Sequence, residues 1–253
     1  DYIEERFLQY HLHTSRQDYS IGSRKYQNVI GKLGPTSGPR IVVGAHYDAF
    51  AEFPGADDNA SGVAGLLELA RLLHTADLPI TVELVAYCTE EPPFFGTTDM
   101  GSFHHATALA QSRVDVRAML SLDTIGFYEE RFGSQKYPLR LFNLFCPNRG
   151  NFIGVIGSTQ QRAFTKSIKL AMKGATPLPI VSINAPAKIP GVDFSDHRNY
   201  WAHGYPAVMV TDTAFYRNDA YHTADDTWEH LDYERMASVV VALYEAIIML
   251  ANK

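Results

Sequence analysis

An α/β fold with a central sheet is what this chain predicts, and two observations predict it. Short β-branched runs alternate with segments of helical period along the whole length. Histidines and acidic residues stand directly behind several of those runs, at the strand ends where open α/β sheets gather their ligands.

The elements follow in order. Tyr2 to His11 has the spacing of a first helix, and Tyr26 to Leu33 reads as a strand. Ile41 to Ala45 is a strand that delivers His46. A loop containing Gly, Pro and Asp leads into a helix from about Ser61 to Leu73, with Val63, Leu66, Leu67, Ala70 and Leu73 on one face. The nine-residue apolar run Ile80 to Cys88 reads as a strand deep in the sheet, closed by Glu90-Glu91, and Ala118 to Leu122 as another, closed by Asp123. Further strands are expected at Leu139 to Phe145, Phe152 to Ile156, Pro179 to Ile183 and Pro206 to Val210. Further helices are expected at Met100 to Gln111, Gln160 to Lys173, Ser195 to Ala202 and Tyr233 to Leu250. The apolar faces of these helices read as core rather than cofactor contacts. With no repeat and no linker in view, residues 1–253 read as a single domain.

Composition narrows the function classes. A net charge of -6 without any long run of Lys or Arg argues against nucleic acid as a partner. The longest apolar stretch, Val239 to Leu250, is interrupted by Glu245 and is too short for a membrane span. Cys88 and Cys146 make no disulfide framework, and Cys88 on its strand reads as a small hydrophobe. Beginning at Asp1 without a Met or an apolar leader, the chain reads as a trimmed or mature form, and its compartment is not legible.

Five residues stand out as metal donors: His46, Asp58, Glu91, Asp123 and His222. Two imidazoles and three carboxylates, with no thiolate, suit zinc or a similar divalent ion. In His46-Tyr47-Asp48 an extended backbone points the imidazole and the carboxylate the same way, so that Asp48 is placed to hold the other ring nitrogen of a metal-bound His46. Around Asp58, the segment Gly55 to Gly62 also reads as an ordinary helix start, since Asp, Asn and Ser are N-cap residues. Capping needs only one of them. Adjacent carboxylates at the end of a buried strand repel unless a cation or a proton offsets them, and neighbouring side chains there point opposite ways. One of Glu90 and Glu91 can therefore hold metal while the other faces a substrate water. His11, His13, His74, His104, His105, His203 and His230 carry no carboxylate pattern, and Asp196 beside His197 reads as a helix cap.

Six ordered blocks then carry a resemblance: His46-x-Asp48, Gly55 to Gly62, Glu90-Glu91, Leu122-Asp123, Ser195-Asp196-His197 with Gly204 to Ala207, and Tyr221 to Asp226. Together they resemble the co-catalytic dizinc exopeptidases of the bacterial leucyl aminopeptidase type (clan MH), whose relatives include glutamate carboxypeptidases and glutaminyl cyclases. The likeness runs from about Tyr26 to the C-terminal helix. It implies a single domain with a mixed, mainly parallel central sheet flanked by helices. It implies two zinc ions per chain, with Asp58 bridging them and followed by a cis peptide bond. His46 and Asp123 would complete one ion's protein ligands, Glu91 and His222 the other's. A hydroxide bridging the ions would attack the scissile bond, Glu90 would be the general base, Asp48 the partner of His46, and Tyr221 a hydroxyl donor to the substrate carbonyl. The implied reaction is hydrolysis of the N-terminal bond of a peptide with a free N-terminus.

The sequence departs from that pattern twice. Where some of these aminopeptidases carry a carbonyl-binding Tyr upstream of Ser-Asp-His, this chain has Val192. The loop Pro92 to Asp99 is longer than in the simplest members, and its Phe94 and Phe95 read equally as a pocket rim or as a minor core. Other readings stand beside hydrolysis at the N-terminus: a glutaminyl-cyclase-like transferase, a carboxypeptidase, or an inactive peptide-binding domain. The last would be expected to have lost ligands, and none is lost here.

Overall fold

A computed structural model of the chain describes residues 1–253, the side chain of Arg140 excepted. Eight strands form one sheet in the order β1-β2-β4-β3-β5-β8-β6-β7. They are β1 His13–Ile21, β2 Arg24–Leu33, β3 Arg40–His46, β4 Thr81–Tyr87, β5 Val116–Leu122, β6 Ile153–Ser158, β7 Ile180–Ala185 and β8 Ala207–Thr211. β4, β3, β5 and β8 run parallel in the middle. An antiparallel pair, β1 and β2, closes one edge, and β6 with β7 joins antiparallel on the far side of β8. The sheet is thus mixed, with a parallel centre, as the resemblance implies.

Helices cover both faces: α1 Tyr2–Gln9, α2 Gly62–Leu73, α3 Gly101–Gln111, α4 Arg162–Met172, α5 His197–Ala202 and α6 Tyr233–Ala251. The period-two alternation of a strand sorts the core between them. On β3, Ile41, Val43 and Ala45 join Leu66 and Leu69 of α2 and Leu243 of α6, while Val42 faces the other way, toward Ala106 of α3 and Tyr200 of α5. Leu66, Leu69 and Leu73 are fully buried, each stabilising the fold by about 1.5–3 kcal/mol. α6 is fixed at its start by Asp232, whose side chain accepts the Arg235 N–H at 3.0 Å, a cap that contributes about 1 kcal/mol. Among the described residues, no helix is long and apolar enough to cross a membrane.

Two expectations are corrected. Leu139 to Phe145 is no strand: residues 140–144 form a short 3-10 turn, and Leu141, Leu144 and Phe145 stand exposed. Its polar residues, Arg140 and Asn143, fall three apart rather than in strict alternation, so neither face of a strand would be wholly apolar. β1 was not expected at all, because only Tyr19 of its nine residues is buried and an edge strand so polar carries no apolar alternation. Both cysteines are free.

The order β4-β3-β5 sets the site. From β3 the chain turns first to one neighbour and later to the other, so the sheet's topological switch falls at β3, whose last residue is His46.

Candidate active site

Each donor arrives from the end of a different element. His46 terminates β3, Glu90 and Glu91 lie just past β4, and Asp123 follows β5 directly. Asp58 sits in a π-type turn, Ala56–Ser61, that leads into α2, and the peptide bond after it is cis. His222 lies in the loop between β8 and α6, with a backbone φ of 58°. Gly62 lets this turn approach the end of β5, since a Cβ there would strike Asn59 and the Leu122 carbonyl. Ser61 stands at the N-cap of α2 without a side-chain cap bond, and it is Asn59 whose Oδ1 accepts the Gly62 N–H at 3.1 Å.

Two triads of donors result, His46-Asp58-Asp123 and Asp58-Glu91-His222, in each of which the ligand atoms lie within 4.8 Å of one another. Asp58 belongs to both. Its Oδ1 lies 3.2 Å from His46 Nε2, and its Oδ2 lies 2.9 Å from His222 Nε2. Asp123 Oδ2 is 4.0 Å from His46 Nε2, and Glu91 Oε1 is 3.2 Å from His222 Nε2. Glu90 stands apart from the triads, with Oε2 3.9 Å from His46 Nε2.

These atoms fit a divalent cation. Asp58 Oδ2, Glu91 Oε1 and His222 Nε2 are buried without hydrogen-bond partners, although they converge on one another. Four carboxyl groups gathered there cannot all ionise without a counter-charge. Burial above all holds the Glu90 carboxyl well above its usual range; His46 opposes this, and Asp123, Asp196 and Glu91 reinforce it. Asp123 is pushed up to about 7, chiefly by burial. On Asp58 burial is also the largest influence, but contacts with His222 and His46 outweigh it and the net shift is downward. Nitrogen and oxygen donors with an open side match a zinc site that leaves room for water or substrate.

The surrounding hydrogen bonds are more specialised than the sequence suggested. Asp48 Oδ1 is 3.7 Å from His46 Nδ1, whereas the backbone carbonyl of Asp48 lies 3.0 Å from that nitrogen. The Asp48 carboxylate instead accepts the backbone N–H groups of Glu90 at 3.2 Å and Glu91 at 3.1 Å. Asp226 accepts the N–H of Asp57 at 2.9 Å and of Asp58 at 3.1 Å, and its carbonyl accepts the Ala56 N–H at 3.1 Å. Asp57 in turn accepts from Gly126 N–H and Asn218 Nδ2, each at 3.0 Å. Sequence reasoning passed over Asp57 and Asp226; the doubled acids Asp57-Asp58 and Asp225-Asp226 were the available signal. Asp196 stands at the start of α5 without capping it, fully buried beside this cluster. His105, read as bland, is buried with Nε2 3.3 Å from Glu83 and Nδ1 2.6 Å from the Tyr200 hydroxyl.

An apolar pocket opens beside Asp123 and Tyr221, walled by Ile156, Ile183, Val192 and Met209 and rimmed by Phe194. Val192 is part of that wall and brings no hydroxyl; Tyr221 also lines the pocket, with its ring stacked on His222. Phe94 and Phe95 do not line it. Phe94 meets Tyr26 edge-on at 5.6 Å, and Phe95 braces Phe194 at 5.7 Å.

A family model described as peptidase family M28 matches residues 28–247. The chain belongs to peptidase family M28. It is similar to the Escherichia coli (strain K12) protein YfbL, described as uncharacterized, at 46% identity over 95% of this chain and 76% of that protein. Leucine aminopeptidase 1 of Uncinocarpus reesii is 30% identical over 83% of this chain and 51% of its own length. The chain therefore spans about half of that relative. Among solved structures, the LapA aminopeptidase of Legionella pneumophila superposes with a TM-score of 0.76 at 21% identity, over 99% of this chain and 63% of LapA. Fimbriiglobus ruber glutaminyl cyclase gives 0.73 at 19% identity, over 100% of this chain and 86% of the cyclase. At such identities both share the fold alone. Membership of M28 places the chain among peptidases, with leucine aminopeptidases among its relatives.

Proposed function

We propose that this M28 chain is an aminopeptidase that binds two zinc ions and removes an apolar residue from the free N-terminus of a peptide. The observation that carries the reading is the Asp58 carboxylate, with one oxygen turned to each triad. His46, Asp58 and Asp123 would hold one ion, and Asp58, Glu91 and His222 the other. Bound there, the ions would polarise the scissile carbonyl and make water nucleophilic at neutral pH.

The protein's own groups do the rest. Glu90, buried beside the triads without belonging to either, takes the proton of the attacking water and returns it to the leaving amine. Its raised affinity for a proton suits a base that must later act as an acid. Asp48 fixes the backbone of Glu90 and Glu91, so the base and the adjacent ligand keep their places. The Tyr221 hydroxyl donates to the carbonyl oxygen as charge builds there. The acidic cluster draws the substrate's free amine, and the pocket of Ile156, Ile183, Val192 and Met209 receives its side chain.

Mass spectrometry of peptides incubated with zinc-loaded protein tests this. Leucyl peptides should lose their first residue, and N-acetylated copies should stay intact. Loss of ammonia from N-terminal Gln peptides without shortening would make the protein a cyclase, and trimming from the carboxyl end a carboxypeptidase. No change across a broad peptide library would leave a binding domain.

A further inference from the structure

A metal-bound imidazole is normally aimed by a hydrogen bond on the ring nitrogen that faces away from the metal. His46 has one, from Nδ1 to the Asp48 carbonyl at 3.0 Å. His222 has none: among the described residues, no hydrogen bond to its Nδ1 is formed. Its ring is held in another way. The Phe50 ring lies parallel to it, 4.1 Å between centroids and 4° between planes, and the Tyr221 ring does the same at 3.9 Å and 13°. Two rings that are both parallel to the imidazole at such distances must occupy opposite faces, so His222 is the middle layer of a three-ring stack. Its Nε2 is left at the edge, toward Asp58 and Glu91.

Phe50 has no other evident task. It lies outside the apolar pocket and, among the described residues, outside the three buried core clusters, and it lines a small cleft with Phe53, Asp58, His222 and Asp226. Phe53 backs it at 6.1 Å, with its N–H donating to the Phe50 carbonyl at 3.2 Å. We infer that Phe50 is a positioning residue for the Glu91–His222 metal site, the aromatic face that fixes the His222 ring plane in place of the missing hydrogen bond. The inference rests on the two-ion reading above. Removing Phe50 frees one face of the imidazole, so the ring can turn and carry Nε2 off line. The His46–Asp123 site, oriented by its own hydrogen bond, is untouched.

Stepwise zinc titration of metal-free protein against a competing chelator, with wild type, Phe50→Ala, Phe50→Leu and Phe50→Tyr, decides it. Wild type should take two ions. In Phe50→Ala the tighter or looser constant belonging to the Glu91–His222 site should weaken by roughly 10–100-fold, the usual cost of losing a ligand's orienting partner, while the other constant holds. Phe50→Tyr should restore it. Phe50→Leu, which fills space without a flat face, should not. The ion lost first to chelator is assigned by repeating the titration in His222→Ala, which should lack that same step. Two unchanged constants in Phe50→Ala, an equal fall in both, or full rescue by Leu each overturn the inference while leaving the two-ion reading intact. A wild type that saturates at one ion overturns the reading and this inference together.

Discussion

Asp58 Oδ2 and His222 Nε2 lie 2.9 Å apart, yet neither has a hydrogen-bond partner. A contact of that length between a carboxylate and an imidazole ordinarily carries a proton along the line between them. Here the lone pairs converge on a shared point instead, as the edge of a coordination polyhedron does. Asp58→Ala should accordingly abolish binding of both ions, whereas Asp123→Ala should weaken mainly one. Elemental analysis of the dialysed variants reads this directly, and retention of one tight ion in Asp58→Ala would refute the bridging role.

Glu90 and Glu91 differ in what they face, so the same substitution should have opposite signatures. Glu90→Gln keeps size and hydrogen bonding but cannot take a proton; kcat should drop by roughly 10²–10⁴-fold, the scale of general-base catalysis, with metal content unchanged. Glu91→Gln should lose metal first. Near-normal turnover in Glu90→Gln would remove it as the base.

The pocket beside Asp123 predicts selectivity. Leucyl arylamides should exceed glycyl ones in kcat/KM by roughly 10–200-fold, the worth of apolar contact in a specificity pocket. Val192→Trp would fill the wall and shift the preference toward glycine and alanine. Parallel steady-state assays on both substrates would show it, and an unshifted ratio would place the substrate side chain elsewhere.

Away from the chemistry, Glu83 of β4 is buried against Arg40 at 2.8 Å, Lys32 at 3.4 Å and His105 at 3.3 Å. Burial raises its pKa, but His105 first and then Lys32 and Arg40 outweigh it, and the carboxyl is pushed down to about 2 from 4.5. A carboxyl with a depressed folded pKa contributes stability that is complete above its unfolded value and fades as pH falls. The contribution, on the order of 3 kcal/mol at 1.36 kcal/mol per pH unit, should therefore be present above about pH 4.5 and be lost toward pH 2. Urea denaturation of wild type and Glu83→Gln across pH 2–7 should show two curves that differ at neutral pH and converge in acid. A constant gap would mean that Glu83 acts through packing alone.

The central sheet was legible because strands buried on both faces leave nearly continuous apolar runs, as β3, β4 and β5 do, and each leads into a titratable residue, His46 at the end of β3, Glu90-Glu91 just past β4 and Asp123 just past β5. β1 was not legible, since an edge strand such as His13–Ile21 needs only one buried side chain and its sequence is nearly all polar. Leu139 to Phe145 misled in the opposite sense: it is mostly apolar, but Leu139, Leu141, Leu144 and Phe145 stand exposed beside the pocket that Phe142 lines. The donors could be read from single motifs. Their supports could not, because Asp226 holding Asp58, or Glu83 meeting His105, joins residues far apart in the chain through contacts that leave no local pattern.

Asp226 lies just beyond His222, and it grips the backbone from Ala56 to Asp58 through three N–H···O contacts. The loop that carries His222 is thereby fastened to the turn that carries Asp58. A gate that swung this loop outward would have to pull Asp58, which belongs to both triads, from its place. The apolar pocket beside Asp123 is bounded instead by Phe194 and the segment around Tyr137 and Phe142. That wall, Asp123 apart, is where side chains can change in size without touching either triad.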